Sequence, residues 1–195
     1  MEFLELLFRL SKRVPALRVL PLLLLGACFV TGAARAQDAP SKEYEIKAAF
    51  LFNFVQFVKW PPDAFTSPDA PLCIGVFGDD PFDGALDDTI RGESVDGHKL
   101  VVMHLHSLSD LGGCQMIFVA RSEEGDLGQI LAAINSRPIL TVSEIDRFAQ
   151  NGGDIDFYLS NGKVRFEINP GAARRCGLKI SSQLLALGRI VGGEN

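Results

Sequence analysis

The chain reads as an α/β fold: a three-layer arrangement in which helices cover both faces of a mostly parallel sheet that ends in an antiparallel hairpin. Three observations predict it. From about residue 70 onward, short apolar runs alternate with segments of helical spacing, the pattern of strands returned in parallel by helices. Two alternating runs flank Asn161-Gly162, a dipeptide that favours the tight turn of a hairpin. A long apolar helix precedes both and stops at Pro61-Pro62. At 195 residues, with no internal repeat or low-complexity linker, the chain allows one main domain.

The first segment stands apart. Arg9, Lys12, Arg13 and Arg18 precede the uncharged run Val19 to Val30, and Ala34-Arg35-Ala36 supplies small residues where a signal peptidase reads. The run is shorter than the ~20 residues a bilayer span needs. Residues 1–36 are therefore expected to be a signal peptide, with residues 37–195 forming the exported domain in the periplasm. The alternative is a lipoprotein anchored at Cys28, through the lipobox-like Leu25 to Cys28; continuation of the apolar run through Phe29 and Val30 argues against it. Removing residues 1–36 leaves 14 Lys+Arg against 22 Asp+Glu. Such an acidic chain is a poor partner for nucleic acid.

Taken in order, Ser41 is the expected N-cap of the opening helix, which closes before Pro61. Ile46, Phe50, Leu51, Phe54, Val55, Phe57 and Val58 share one broad face, with Lys47 among them, so this is a buried helix and not a membrane span. Ala70 to Gly78 reads as a buried strand. Asp80 and Pro81 then open a helix carrying Phe82, Leu86 and Ile90. His98 to His106 is a second strand, Cys114 to Ala120 a third, the segment from Asp126 a helix, and Pro138 to Ser143 a fourth strand. Ser143 is expected to cap a short helix ending at Gly152-Gly153. The hairpin follows, with Val164, Phe166 and Ile168 on one face and Arg165, Glu167 and Asn169 on the other. Two helices broken near Gly177 finish the chain.

No catalytic constellation emerges. Gly75 to Asp80 lies where a phosphate loop would, but it lacks the glycine and lysine spacing, and two aspartates would repel an anion. His104 and His106 share a strand face, yet sequence places neither a carboxylate nor a third histidine beside them, so no metal is expected. Ser181-Ser182 forms no nucleophile elbow, and the acidic pairs Asp87-Asp88 and Glu123-Glu124 read as solvated faces. Arg174-Arg175 would lower the pKa of Cys176, although a cysteine in this setting more often packs as a small hydrophobe. The expectation is a protein without enzymatic activity or cofactor. After export three cysteines remain, Cys73, Cys114 and Cys176; spacing alone does not choose a pair.

Several segments, taken together, resemble the YfiR family of periplasmic proteins: the helix from Ile46 to Pro61, Leu72 to Phe82, Cys114 to Ala120, Ile139 to Gly153, and above all Asn161 to Val191. The similarity runs from about Tyr44 to Val191. It implies a three-layer α/β sandwich, exported and non-enzymatic. It also implies a repressor that binds the periplasmic sensor region of a membrane-bound diguanylate cyclase and is relieved by an outer-membrane lipoprotein. By position it implies a Cys73–Cys114 disulfide, worth ~3–4 kcal/mol in the chain-entropy picture. The family's second, closely spaced cysteine pair has no counterpart here, and Cys176 does not occupy its place, so redox control through that pair does not carry over.

Surface candidates for a partner are Arg165, Glu167 and Arg174, a mixed-charge rim beside an apolar edge, and Trp60 with Phe52 on the less apolar side of the opening helix. The bland readings are an edge strand guarded by charge and aromatics packed on a loop. A homodimer stays open. The second class of function is a small-molecule-binding protein of the envelope, using the crevice at the carboxyl ends of the strands, lined by Gly78 and Asp79. An oxidoreductase lacks any Cys-x-x-Cys.

Overall fold

Helix α1 runs from Asp38 to Phe57 in the computed structural model, which describes residues 38–192. The expected signal segment 1–36, with Cys28, lies outside the described residues. Ser41 falls inside α1 and does not begin it. Pro40 is no obstacle there, because first-turn N–H groups have no intrahelical acceptor to lose. Ala48, Leu51, Phe54 and Val55 are buried against the sheet, while Ile46, assigned by its spacing to the apolar face, is exposed. The chain then passes through β1 (Val58–Lys59), and Pro61 precedes a single 3₁₀ turn over Pro62–Ala64.

The strands that follow are β2 (Leu72–Phe77), β3 (Ser94–Val95), β4 (His98–Leu105), β5 (Met116–Val119), β6 (Leu140–Ser143), β7 (Ile155–Ser160), β8 (Lys163–Ile168), β9 (Lys179–Ile180) and β10 (Arg189–Ile190). Eight of them form one sheet in the order β10-β8-β7-β6-β5-β2-β4-β3. Pairing is parallel from β4 across to β7 and between β8 and β10. It is antiparallel in the β7–β8 hairpin and at β3–β4. Central strands β2, β5 and β6 are buried along their whole length, as a sheet covered on both faces requires.

Alternation along the strands sends side chains to two cores. On one face, Ile74, Val76, Met116, Phe118, Leu140, Val142, Phe157 and Phe166 pack beneath α1 and the short helix α2 (Ala85–Ile90). On the other, Cys73, Phe77, Leu105, Ile117 and Val119 pack beneath α3 (Leu127–Ile134) and the turns carrying Leu111, Ile145 and Phe148. The three-layer architecture expected from the alternation is the one present.

Three local expectations are corrected. The helix placed at Asp80 begins only at Ala85, because Asp83 and Gly84 have φ of 49° and 84°, outside any right-handed helix. Asp80 instead accepts a hydrogen bond from the Phe82 N–H at 2.8 Å, closing a turn. The segment after Ser143 is a series of turns and not a helix, since Arg147 sits at φ 63°. Ser143 itself ends β6, donating through Oγ to the Val119 carbonyl. Finally, the C-terminal stretch holds strands as well as helices. Helix α4 (Pro170–Arg175) stops where Gly177, at φ 75°, and Leu178 donate back to Arg174 and Ala173. Beyond it, β9 pairs with β1, α5 (Ser182–Leu185) is capped by Ser181, and β10 joins the sheet beside β8.

Candidate functional site

Cys73 and Cys114 lie at the amino ends of neighbouring parallel strands, Cα atoms 4.5 Å apart, and form the disulfide that the family resemblance implied. Gln115 extends its reach. The Gln115 N–H donates to the Cys73 carbonyl, and its Oε1 accepts from the Cys73 N–H at 2.9 Å. Its Nε2 donates to the Ala64 carbonyl at 2.8 Å, and its own carbonyl accepts from Trp60 Nε1 at 2.9 Å. The loop 60–65 is thus bound to the disulfide end of the sheet. No local pattern in the sequence announces Gln115; only its place beside a bridging cysteine could have drawn attention.

Trp60 therefore holds that loop in place, its polar atom already engaged, while its ring faces a cleft of about 250 Å³ shared with Val55, Phe65, Leu72, Val95 and His98. Phe65 and His98 stack with ring centroids 3.9 Å apart. His98 Nδ1 lies 2.6 Å from the Ala70 carbonyl and must carry the proton there, leaving Nε2 as the other ring nitrogen. This cleft is at the amino ends of the strands. At the carboxyl end the space beside Gly78 is filled: a Cβ there would meet Ser122 Oγ at 2.5 Å and Glu123 Cγ at 2.6 Å, and the Asp79 N–H donates to Ser122 Oγ. Ser122 and Glu123 thus pack directly against the backbone at Gly78, while Asp79 beside it stays exposed.

The charged rim of the hairpin is only partly a rim. Arg165 is exposed opposite Tyr158, but Glu167 is 3% exposed. Glu167 pairs with Arg189 and accepts a hydrogen bond from Gln150 Nε2. Alternation put Glu167 on the correct face; it did not reveal that the turns after β6 cover that face. Arg189 also lies over the Tyr158 ring, 5.2 Å from its centroid. Arg174 is exposed at the end of α4, beside a separate cleft of about 210 Å³ formed with Pro170, Leu178, Ile180 and Leu185. Trp60, Arg165 and Arg174 thus line three different clefts and not one continuous patch.

Beneath the hairpin, two further carboxylates are buried. Asp154 accepts from the Thr141 N–H and hydroxyl at 2.8 and 2.7 Å, and burial pushes its pKa up to about 6. Asp156 faces Glu167 across the ladder, and its Oδ1 has no hydrogen-bond partner among the described residues. Burial pushes it up to about 6 as well. An acid held more tightly protonated in the fold than in the unfolded chain makes the fold less stable as pH rises from about 4 through about 6. Asp156→Asn is expected to stabilise the protein at pH 7.5 by up to about 2 kcal/mol and to flatten that fall. Urea unfolding of both proteins at pH 4.5 and pH 7.5 checks it; an unchanged pH slope rules the assignment out.

Among the described residues, no group of three or more His, Cys, Asp or Glu is placed to hold a metal ion. His104 Nε2 does meet a carboxylate, Asp80 Oδ2 at 2.9 Å, which sequence spacing did not reveal. His106 lies beyond the end of β4 and is exposed. Cys176 is half-buried against the core under α1, and burial with the neighbouring Asp154 pushes its thiol up, the opposite of an activated nucleophile.

Compared with known proteins, residues 44–189 match the family model described as DUF4154, YfiR/HmsC-like. The structure also resembles a crystal structure of "the ABC domain in complex with L-Trp from Streptococcus pneumonia", with 10% sequence identity and a TM-score of 0.47, over 78% of this chain and 60% of that one. At that distance the likeness carries no functional argument.

Proposed function

Because the chain belongs to the YfiR/HmsC-like family, we propose that it is an exported regulatory module that acts by binding, restraining a membrane signalling enzyme through that enzyme's periplasmic sensor region. The observation that carries this reading is the extent of the family match, which spans the described fold from α1 to β10 and includes the disulfide and the hairpin. In this reading residues 1–36 are removed on export, residues 37–195 act as one domain, and the enzyme is a diguanylate cyclase. An outer-membrane lipoprotein competes for the module and relieves the restraint. Restraint is a population shift, the module binding the inactive sensor conformation more tightly than the active one. In this reading the exposed Arg165 and Arg174, with the clefts beside them, face the partner, whereas Glu167 contributes from inside by holding Arg189.

The test is a pull-down from envelope extract with wild type and Cys73→Ser under oxidising and reducing conditions. Retention of a membrane cyclase by the oxidised wild type is the expected result. A folded wild type that retains no membrane signalling protein would sink the proposal. One observation favours a second reading, a small-molecule-binding protein: the aromatic cleft of Trp60, Phe65 and His98. A metabolite panel that raises the melting temperature of wild type, but not of His98→Ala, would support it.

A further inference from the structure

We propose that the outer edge of β8 is a docking groove for an extended segment of the partner that alternates apolar and acidic residues and is taken up as an added strand; the identity of the partner rests on the reading above. Strand β10 pairs only with Glu167 and Ile168. The outer edge of Lys163–Phe166 therefore has no strand against it among the described residues. An unpaired edge leaves outward backbone N–H and C=O groups ready for another chain. Beside it opens a groove of about 420 Å³, between that edge and Leu187 to Arg189.

The two sides of the groove differ in chemistry. Phe50, Val164, Phe166 and Leu187 make the side nearer α1, and Leu187, at 68%, is the most exposed large hydrophobic among the described residues. On the other face of the strand stand Lys163 and Arg165, both exposed, with no ion-pair partner among the described residues. Arg189 is already committed to Glu167 and Tyr158. A strand added to this edge would send alternate side chains to the two faces. One set would meet the apolar side, the other the two cations, so the fitting segment alternates apolar with acidic. A second copy of this chain fits poorly, because pairing β8 with itself would set these cations against their own kind.

The test uses short blocked peptides of alternating valine and glutamate, with a valine–lysine peptide as control, and backbone amide shifts of the folded protein as readout. Expected are shifts confined to residues 163–166 and 187–189, and binding at least about tenfold weaker for the lysine peptide. Arg165→Glu should weaken the glutamate peptide by about fivefold with the circular dichroism spectrum unchanged. Shifts elsewhere, no shifts at millimolar peptide, or equal binding of both peptides would overturn the proposal. So would concentration-dependent shifts at residues 163–166 without peptide, which would mark self-association. Retention of the same membrane cyclase by Arg165→Glu and by wild type would overturn this site while leaving the partner-binding function standing.

Discussion

Lys47→Ala is expected to destabilise the protein by about 3–5 kcal/mol, the cost of leaving a buried charge without its partner. Lys47 is 3% exposed in α1. Its ammonium pairs with Glu144, which follows β6, and with Glu43 one turn back at 2.5 Å, and it lies 4.5 Å from the centre of the Tyr44 ring. The Tyr44 hydroxyl donates to the same Glu144 carboxylate at 2.9 Å, and burial with that carboxylate pushes its pKa up. Arg121 donates to the Glu144 carbonyl, so one residue gathers α1, the turns after β5 and the end of β6. Removing the lysine would leave Glu144 7% exposed with only the phenol to satisfy it. The double variant Lys47→Met/Glu144→Gln should lose clearly less than the sum of its single changes, because no uncompensated charge remains. Urea unfolding of the four proteins measures the coupling. Strict additivity would mean that the pair is screened by water and holds nothing together.

Breaking the Cys73–Cys114 bond is the second large change. The bond closes a loop with a sequence separation of 41 and is expected to contribute about 4 kcal/mol by restricting the unfolded chain. Its surroundings leave little room for relaxation. A Cβ on Gly75 would meet Leu105 Cδ1 at 2.5 Å and Cys114 Sγ at 3.2 Å, so the core under α3 is filled around the sulfurs. Cys73→Ser should lower the denaturation midpoint at equilibrium, with a matching loss for the wild type under reductant and no further loss when reductant is added to the variant. Because Gln115 joins the bridge to Trp60 and Ala64, tryptophan emission should shift before global unfolding in the reduced protein. An unchanged midpoint on reduction would show that the native contacts alone hold β2 against β5.

The disulfide was visible through family resemblance; spacing by itself left three pairings open. Arg165 was correctly read as exposed, because strand alternation around Asn161-Gly162 determines which side chains leave the core. Glu167 follows the same alternation yet is buried, since the turns carrying Phe148 and Gln150 fold over its face. The two-residue strands β9 and β10 were invisible as strands, being too short for any period to register. Lys47 on the apolar face of α1 argues from sequence against a membrane span, and in the fold the same residue forms a buried ion pair with Glu144.

What the amino-acid sequence determined by itself is whatever depends on neighbours along the chain. Periodicity set the faces of α1 and the strands, Asn161-Gly162 set the hairpin turn, and Gly177 set the end of α4. Tertiary structure alone decided which surfaces are covered: the burial of Glu167 and Asp156, the packing of Ser122 and Glu123 against Gly78, the reach of Gln115 and the open edge of β8. Each of these depends on segments brought together from distant parts of the chain, and a side chain's solvation is set by what packs over it in space, which no local pattern encodes.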